Sequence, residues 1–207
     1  MADSDLTGAG GRAASEIPGK TVSRARDGDA DAFQMIFKRY AKPVLSFIYS
    51  LTGDRLQAED LTQETFVRAY SRIATLRHHK YLSTWLFGIA RNVAREALRR
   101  RYAARESLNL EQVEEQTLPR ASADPETPLL AGELGREIRG ALSALSEDGR
   151  VVFVLKVIHR MNYDDISRVT GHSVGKLKTD LHRARLQMRE RLTRYLGDAE
   201  TEVRGVS

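Results

Sequence analysis

Residues 163–185 read YDDISRVTGHSVGKLKTDLHRAR. Ile166 and Val169 lie three apart, the spacing of a short amphipathic helix. Gly171 follows, a residue that can take the left-handed conformation with which helices end. Ser173 can cap a new helix, in which Leu177, Leu181, Ala184, Met188 and Leu192 recur on one face to about Leu196. Off that stripe lie Lys176, Lys178, Thr179, His182, Arg183 and Arg185. Short helix, tight turn and long basic helix make a helix-turn-helix, whose second helix fits the major groove of DNA. An ordinary helical hairpin with a basic solvated face has the same periodicity, so the pattern alone leaves both readings open.

Working back from this stretch, Asn162 or Tyr163 opens the short helix, and Val151 to Ile158 is rich in β-branched residues. Periodicity does not decide between strand and helix there. A lone strand has no partner in this chain, so a buried helix is expected. Ser146 is a good N-cap for it, and Leu134, Ile138, Leu142 and Leu145 predict a further helix from about Leu130. Before that the pattern fails. Pro119, Pro125 and Pro128 break helices, and Glu106, Glu111, Glu114, Glu115, Asp124 and Glu126 face only Arg105 and Arg120. Residues 103–129 therefore read as an acidic linker.

The part before the linker is also helical. Phe33, Ile36, Phe37, Tyr40, Val44, Phe47, Ile48 and Leu51 form one face of a helix over Ala32 to Leu51, which Pro43 should kink or divide. After the turn at Thr52, Gly53 and Asp54, a second helix is expected from Leu56 to Ile73. It has Glu59 and Asp60 in its first turn and Leu61, Phe66, Ala69, Tyr70 and Ile73 toward a core. Thr75 to Tyr81 is polar and basic, a loop. Ser83 or Thr84 can cap a third helix reaching Arg101, with Leu82, Leu86, Ile89, Val93 and Ala97 as its apolar face.

Two further groupings stand out. Arg77, Lys80, Arg91, Arg95, Arg99, Arg100, Arg101 and Arg105 are set against one acid, Glu96. Arg91, Arg95 and Arg99 are spaced by four and form a ridge, interleaved with Tyr81, Trp85 and Phe87. Cations track phosphates and rings stack on unpaired bases, although Trp85 and Phe87 suit a core equally well. Glu59, Asp60, Gln63 and Glu64 leave one helix face acidic, either solvated or a dock for a basic partner.

Composition bounds the function. The 207 residues carry 33 Lys and Arg against 28 Asp and Glu, a formal charge of +5, which weakly favours an anionic partner. With no cysteine, disulfides and thiolate metal sites are excluded. No apolar run approaches the length of a membrane span, and residues 1–20 lack the pattern of a secretory signal, so a cytoplasmic location without membrane insertion is expected. No catalytic or metal site and no cofactor are expected. His78 and His79 are adjacent, point apart on a helix, and have no third ligand at metal spacing.

Four segments in this order resemble the extracytoplasmic-function (ECF) subfamily of sigma-70-type RNA polymerase sigma factors: DADAFQMIFKRY (29–40), AEDLTQETFVRAY (58–70), STWLFGIARNVAREALRRR (83–101) and the 163–185 stretch. The resemblance covers about 28–101 and 131–196. It implies an all-α chain of two small helical domains joined by a flexible acidic linker. Residues 1–20 would be a disordered arm and 21–102 a domain like sigma region two. Residues 103–129 would be the linker, 130–197 a helix-turn-helix domain like sigma region four, and 198–207 a tail. It also implies that Asp60, Gln63, Glu64 and Phe66 dock on the clamp helices of the largest subunit of core RNA polymerase. Lys80, Ser83, Trp85, Arg91, Asn92, Arg95 and Arg99 would engage the minus-ten element as it melts. Ser173, Lys176, Lys178, Thr179, His182 and Arg183 would read the minus-thirty-five element of promoter DNA. An anti-sigma factor is implied as a further partner. The chain departs from the family at Lys176, usually small or hydroxyl, and at Asp180, usually basic; Asp180 would repel phosphates, and Lys176 would offset it with a contact one turn earlier. A helix-turn-helix regulator that is no polymerase subunit is the other binding reading, and it needs neither the acidic docking face nor the melting segment.

Overall fold

A computed structural model describes residues 17–107 and 132–204; the arm at 1–16 and the linker at 108–129 lie outside the described residues. Every regular element among them is helical. Helix α1 spans Gly19–Arg26, α2 Ala30–Thr52, α3 Arg55–Arg72 and α4 Leu82–Ser107. Then come α5 over Glu133–Ser143, α6 over Glu147–Phe153, α7 over Tyr163–Thr170 and α8 over Val174–Arg204.

Local chemistry fixes most boundaries. The Asp29 carboxylate accepts from the Ala32 amide and that of Asp54 from the Gln57 amide, capping α2 and α3. Gly53 closes α2 at φ 71°, a left-handed value that a Cβ would disfavour. Pro43 does not divide α2, which is continuous from Ala30 to Thr52. Proline removes one backbone donor, and burial of Tyr40, Val44, Phe47 and Ile48 around it holds the helix together.

Several sequence expectations need correction. Helix α1 begins within the stretch read as an unstructured arm, because Val22 and Ala25 pack into the core. Neither Ser83 nor Thr84 caps α4, which starts at Leu82; the Thr84 hydroxyl instead donates back to the Tyr81 carbonyl. Helix α4 runs past Arg101 to Ser107, into the segment read as linker, and α8 runs past residue 197 to Arg204. A short 3-10 turn at Ile73–Thr75 leads into the loop at 75–81, which ends in another at His79–Tyr81.

Val151–Ile158 is helical, as its isolation demanded. Ser146 caps α6 by accepting from the Gly149 amide, and the chain then widens into a π turn at Val154–Ile158. Val151, Val152, Val154 and Leu155 are buried, whereas Val157 and Ile158 are exposed.

The buried apolar residues form one continuous cluster running through the helices on both sides of residues 108–131. Several contacts join the two sides. An Nη of Arg150 donates to the Leu51 carbonyl at 2.9 Å. Arg95 meets Glu147 at 3.5 Å. The His159 ring lies edge-on to Phe87 (4.8 Å between centroids) and to Phe47 (6.1 Å).

Burial pushes the His159 imidazole down to about 4, and its Nε2 is buried with no partner. The folded ring thus holds its proton less tightly than the unfolded one, near 6.5. Stability from this ring is complete above about pH 6.5 and is lost as pH falls from there toward 4, at up to about 1.4 kcal/mol per pH unit. Urea unfolding at pH 7 and pH 5 is expected to show this loss in the wild type and a smaller one in His159→Phe. Equal losses in both proteins would place the titration elsewhere.

Candidate nucleic-acid interface

The second half presents α7 and α8 joined by a tight turn. Asn162 caps α7 by accepting from the Asp165 amide. Gly171 ends α7 at φ 75°, and the Ser173 hydroxyl accepts from the Lys176 amide at the start of α8. Leu177, Leu181, Ala184 and Met188 are buried, which turns the opposite face of α8 outward. Ser173, Lys176, Lys178, Thr179, His182 and Arg183 are all exposed. The Lys178 ammonium lies 5.8 Å from the Tyr163 ring centroid, and the Thr179 hydroxyl donates to the Gly175 carbonyl.

Lys176 behaves differently from expectation. Its ammonium lies 2.6 Å from both Asp148 and Asp180. Its hydrogen bond to Asp148 is the larger cause of its raised pKa, and the same bond holds the Asp148 carboxyl below its ordinary range. His172 adds to this cluster, with its Nε2 3.2 Å from Asp148. Asp180 is therefore matched by an internal cation, and Lys176 serves as an ion-pair partner in this state.

The basic segment of α4 is graded. Arg91 is buried at 9% exposure, whereas Asn92, Arg95 and Arg99 are exposed. The ridge read from a spacing of four is thus buried at its first position. Phe87 is core, at 2% exposure, and Trp85 is half-buried against it. Lys80 is exposed, with its ammonium 4.9 Å from the Tyr81 ring centroid; Ser83 is half-buried. The Arg168 guanidinium of α7 lies 4.5 Å from the same ring, a contact across 87 residues that no local pattern announces.

On α3, Asp60 and Gln63 are exposed and Glu64 is half-buried. Arg68 bridges Glu64 and Glu96, tying α3 to α4, and its hydrogen bond is the main reason the Glu96 carboxyl lies below its ordinary range. Phe66 cannot dock directly, because it is 4% exposed and packs edge-on against Phe33 and Phe37. Sequence reasoning missed Leu56 and Val67, which are 75% and 69% exposed on the same helix. Exposed large apolar side chains beside polar ones are a mark of an interaction surface.

Residues 36–104 match the family model for Sigma-70 region 2, and residues 135–188 match that for Sigma-70, region 4. The chain is similar to the ECF RNA polymerase sigma factor SigW of Bacillus subtilis, 30% identical over 185 residues that cover 84% of this chain and 95% of that one. It is also similar to the RNA polymerase sigma factor CarQ of Myxococcus xanthus, 32% identical over 187 residues that cover 88% and 99%. Among solved structures, the sigma factor RpoE in complex with the anti-sigma factor NepR from Bartonella quintana is similar at a TM-score of 0.66 and 26% identity, covering 78% of this chain and 96% of that one.

Proposed function

Since the chain belongs to the ECF sigma factors of RNA polymerase, we propose that its two halves divide promoter recognition between them as particular residues allow. In this reading 21–102 is the half that binds core polymerase and opens the minus-ten element, and 130–197 is the half that reads the minus-thirty-five element. Asp60, Gln63 and Glu64 dock on the clamp helices, with Leu56 and Val67 as an apolar rim and Phe66 as buried support. Lys80, Ser83, Trp85, Asn92, Arg95 and Arg99, with Arg91 once uncovered, hold the melting strand. The protein has no catalytic step of its own, needs no cofactor and acts in the cytoplasm. An anti-sigma factor, the kind of partner bound to RpoE in its crystal, is proposed as its regulator.

The observation that carries this reading is the left-handed Gly171 between two capped helices, with all six recognition residues exposed beyond it. Lys178 lies near the start of α8, the end that enters the groove first. Arg183 is five residues on, rotated by about 140° on a helix, and faces the groove edge. A base contact is worth about 1–3 kcal/mol and its loss relaxes sequence preference; loss of a phosphate contact weakens all sequences and lowers the salt slope by about one. Lys178→Ala is expected to relax preference at one or two upstream positions, and Arg183→Ala to weaken binding evenly. The check is a titration of holoenzyme against a randomised upstream element at two salt concentrations. The reverse pattern would show that α8 enters the groove in another orientation.

A further inference from the structure

The contacts that join the two halves leave a cleft of about 240 Å³ between α4 on one side and α5 and α6 on the other. Its walls carry three guanidinium side chains, Arg91, Arg95 and Arg150, against one carboxylate, Glu147. Arg91 is more than nine-tenths buried, and its Nε has no hydrogen-bond partner. The Nε of Arg150 is likewise buried and unpartnered, although its Nη atoms donate to the carbonyls of Leu51, Ser143 and Leu145. Burial also lowers the pKa of this guanidinium, a sign that its positive charge is poorly solvated. Glu147 meets Arg95 at 3.5 Å, a long contact for a charge-assisted pair, and partly offsets the charge of Arg150 from a distance, so one carboxylate faces three guanidinium groups.

Buried donors without acceptors are rare in native proteins and are ordinarily met by water or an ion. Here the shortfall is of negative charge, and it converges from both halves of the chain. Guanidinium groups match phosphate oxygens in fork geometry, which a single carboxylate at the rim does not satisfy. The rest of the wall includes Leu98 and the ring of Tyr102, which suit a flat apolar group.

We infer that this cleft binds a small phosphate-bearing anion, with its phosphate oxygens on Arg91, Arg95 and Arg150. Because both halves supply contacts, the ligand binds their closed arrangement and shifts the population toward it. Arg91 and Arg95 are then unavailable to DNA, a consequence that rests on the promoter reading above; the chemistry of the cleft does not.

The test is calorimetric titration of the free full-length chain with inorganic phosphate, pyrophosphate and GDP at constant ionic strength. A single saturable site is expected. Arg95→Gln and Arg91→Gln are each expected to weaken it about tenfold or more, the effect of removing one charge-assisted hydrogen bond. Arg26→Gln removes the same charge from the exposed end of α1, outside the cleft, and is expected to leave it unchanged. GDP binding tighter than pyrophosphate would show that the Leu98 and Tyr102 wall contributes; equal binding would show that the phosphates alone carry it. Arg95 is half-exposed, so if Arg91→Gln fails to fold, Arg95→Gln decides. Absence of saturation, or a loss just as large in Arg26→Gln, overturns the inference. No polymerase or DNA is present, so that result leaves the sigma assignment standing. Conversely, a chain that fails to start transcription but still binds the ligand saturably leaves the cleft standing.

Discussion

Phe47→Ala is expected to lower the unfolding free energy by about 3–5 kcal/mol, the cost of deleting a buried aromatic ring and leaving a cavity. Phe47 is fully buried near the C-terminal end of α2. Its ring meets Phe87 edge-on at 5.3 Å and reaches His159 across the junction of the two halves. Edge-to-face pairs add about 0.5–1.5 kcal/mol beyond burial alone, so loss of the ring removes packing and a specific contact together. The ring also supports α4, which carries Arg91 and Arg95, and so the substitution reaches the side chains proposed to hold the melting strand through the core. Urea unfolding at pH 7 measures the effect, with Phe47→Leu as a milder comparison. A loss below about 1 kcal/mol would mean that the Phe47 ring is not packed in the core as described.

The second large effect is expected at the polymerase. Reversing charge at Asp60 and Glu64 together should weaken assembly with core polymerase by about 2–5 kcal/mol, or roughly thirtyfold or more. Asp60 is exposed, so its replacement leaves the core untouched. Glu64 does pair with Arg68, but Arg68 keeps its second partner, Glu96, at 2.7 Å, and α3 stays tied to α4. The fold is therefore expected to survive while binding fails. The check is competition between wild type and variant for a limiting amount of core, with melting curves run alongside. Unchanged affinity in a folded variant would move the docking face elsewhere on the molecule.

Much of this architecture is legible in the residues. A helix with eight apolar positions at spacings of three and four, as in α2, buries one face in almost any fold, and Gly171, Ser146, Asn162 and Ser173 carry their turn and cap roles locally. Helix α1 is not legible, because GKTVSRAR has only Val22 and Ala25 as apolar residues and owes its helix to packing on α2. Phe66 follows the acidic residues in sequence, but its position turns it toward Phe33 and Phe37, so adjacency misleads. The spacing of Arg91, Arg95 and Arg99 places them on one side of α4 but does not show that the first member is buried while the other two are exposed. Arg150 reaching the Leu51 carbonyl, Arg168 over Tyr81 and Lys176 between two acids are side-chain choices fixed by tertiary packing, which no local periodicity encodes.

This chain directs RNA polymerase to promoters. Transcription in vitro with purified core polymerase on a promoter-containing DNA library, with the start sites sequenced, tests it most directly. Starts are expected only when chain and core are both present, clustered downstream of a shared pair of elements, and lost with the Asp60 and Glu64 reversal. A chain that binds DNA alone, never assembles with core and leaves the start sites of core polymerase unchanged would contradict the account.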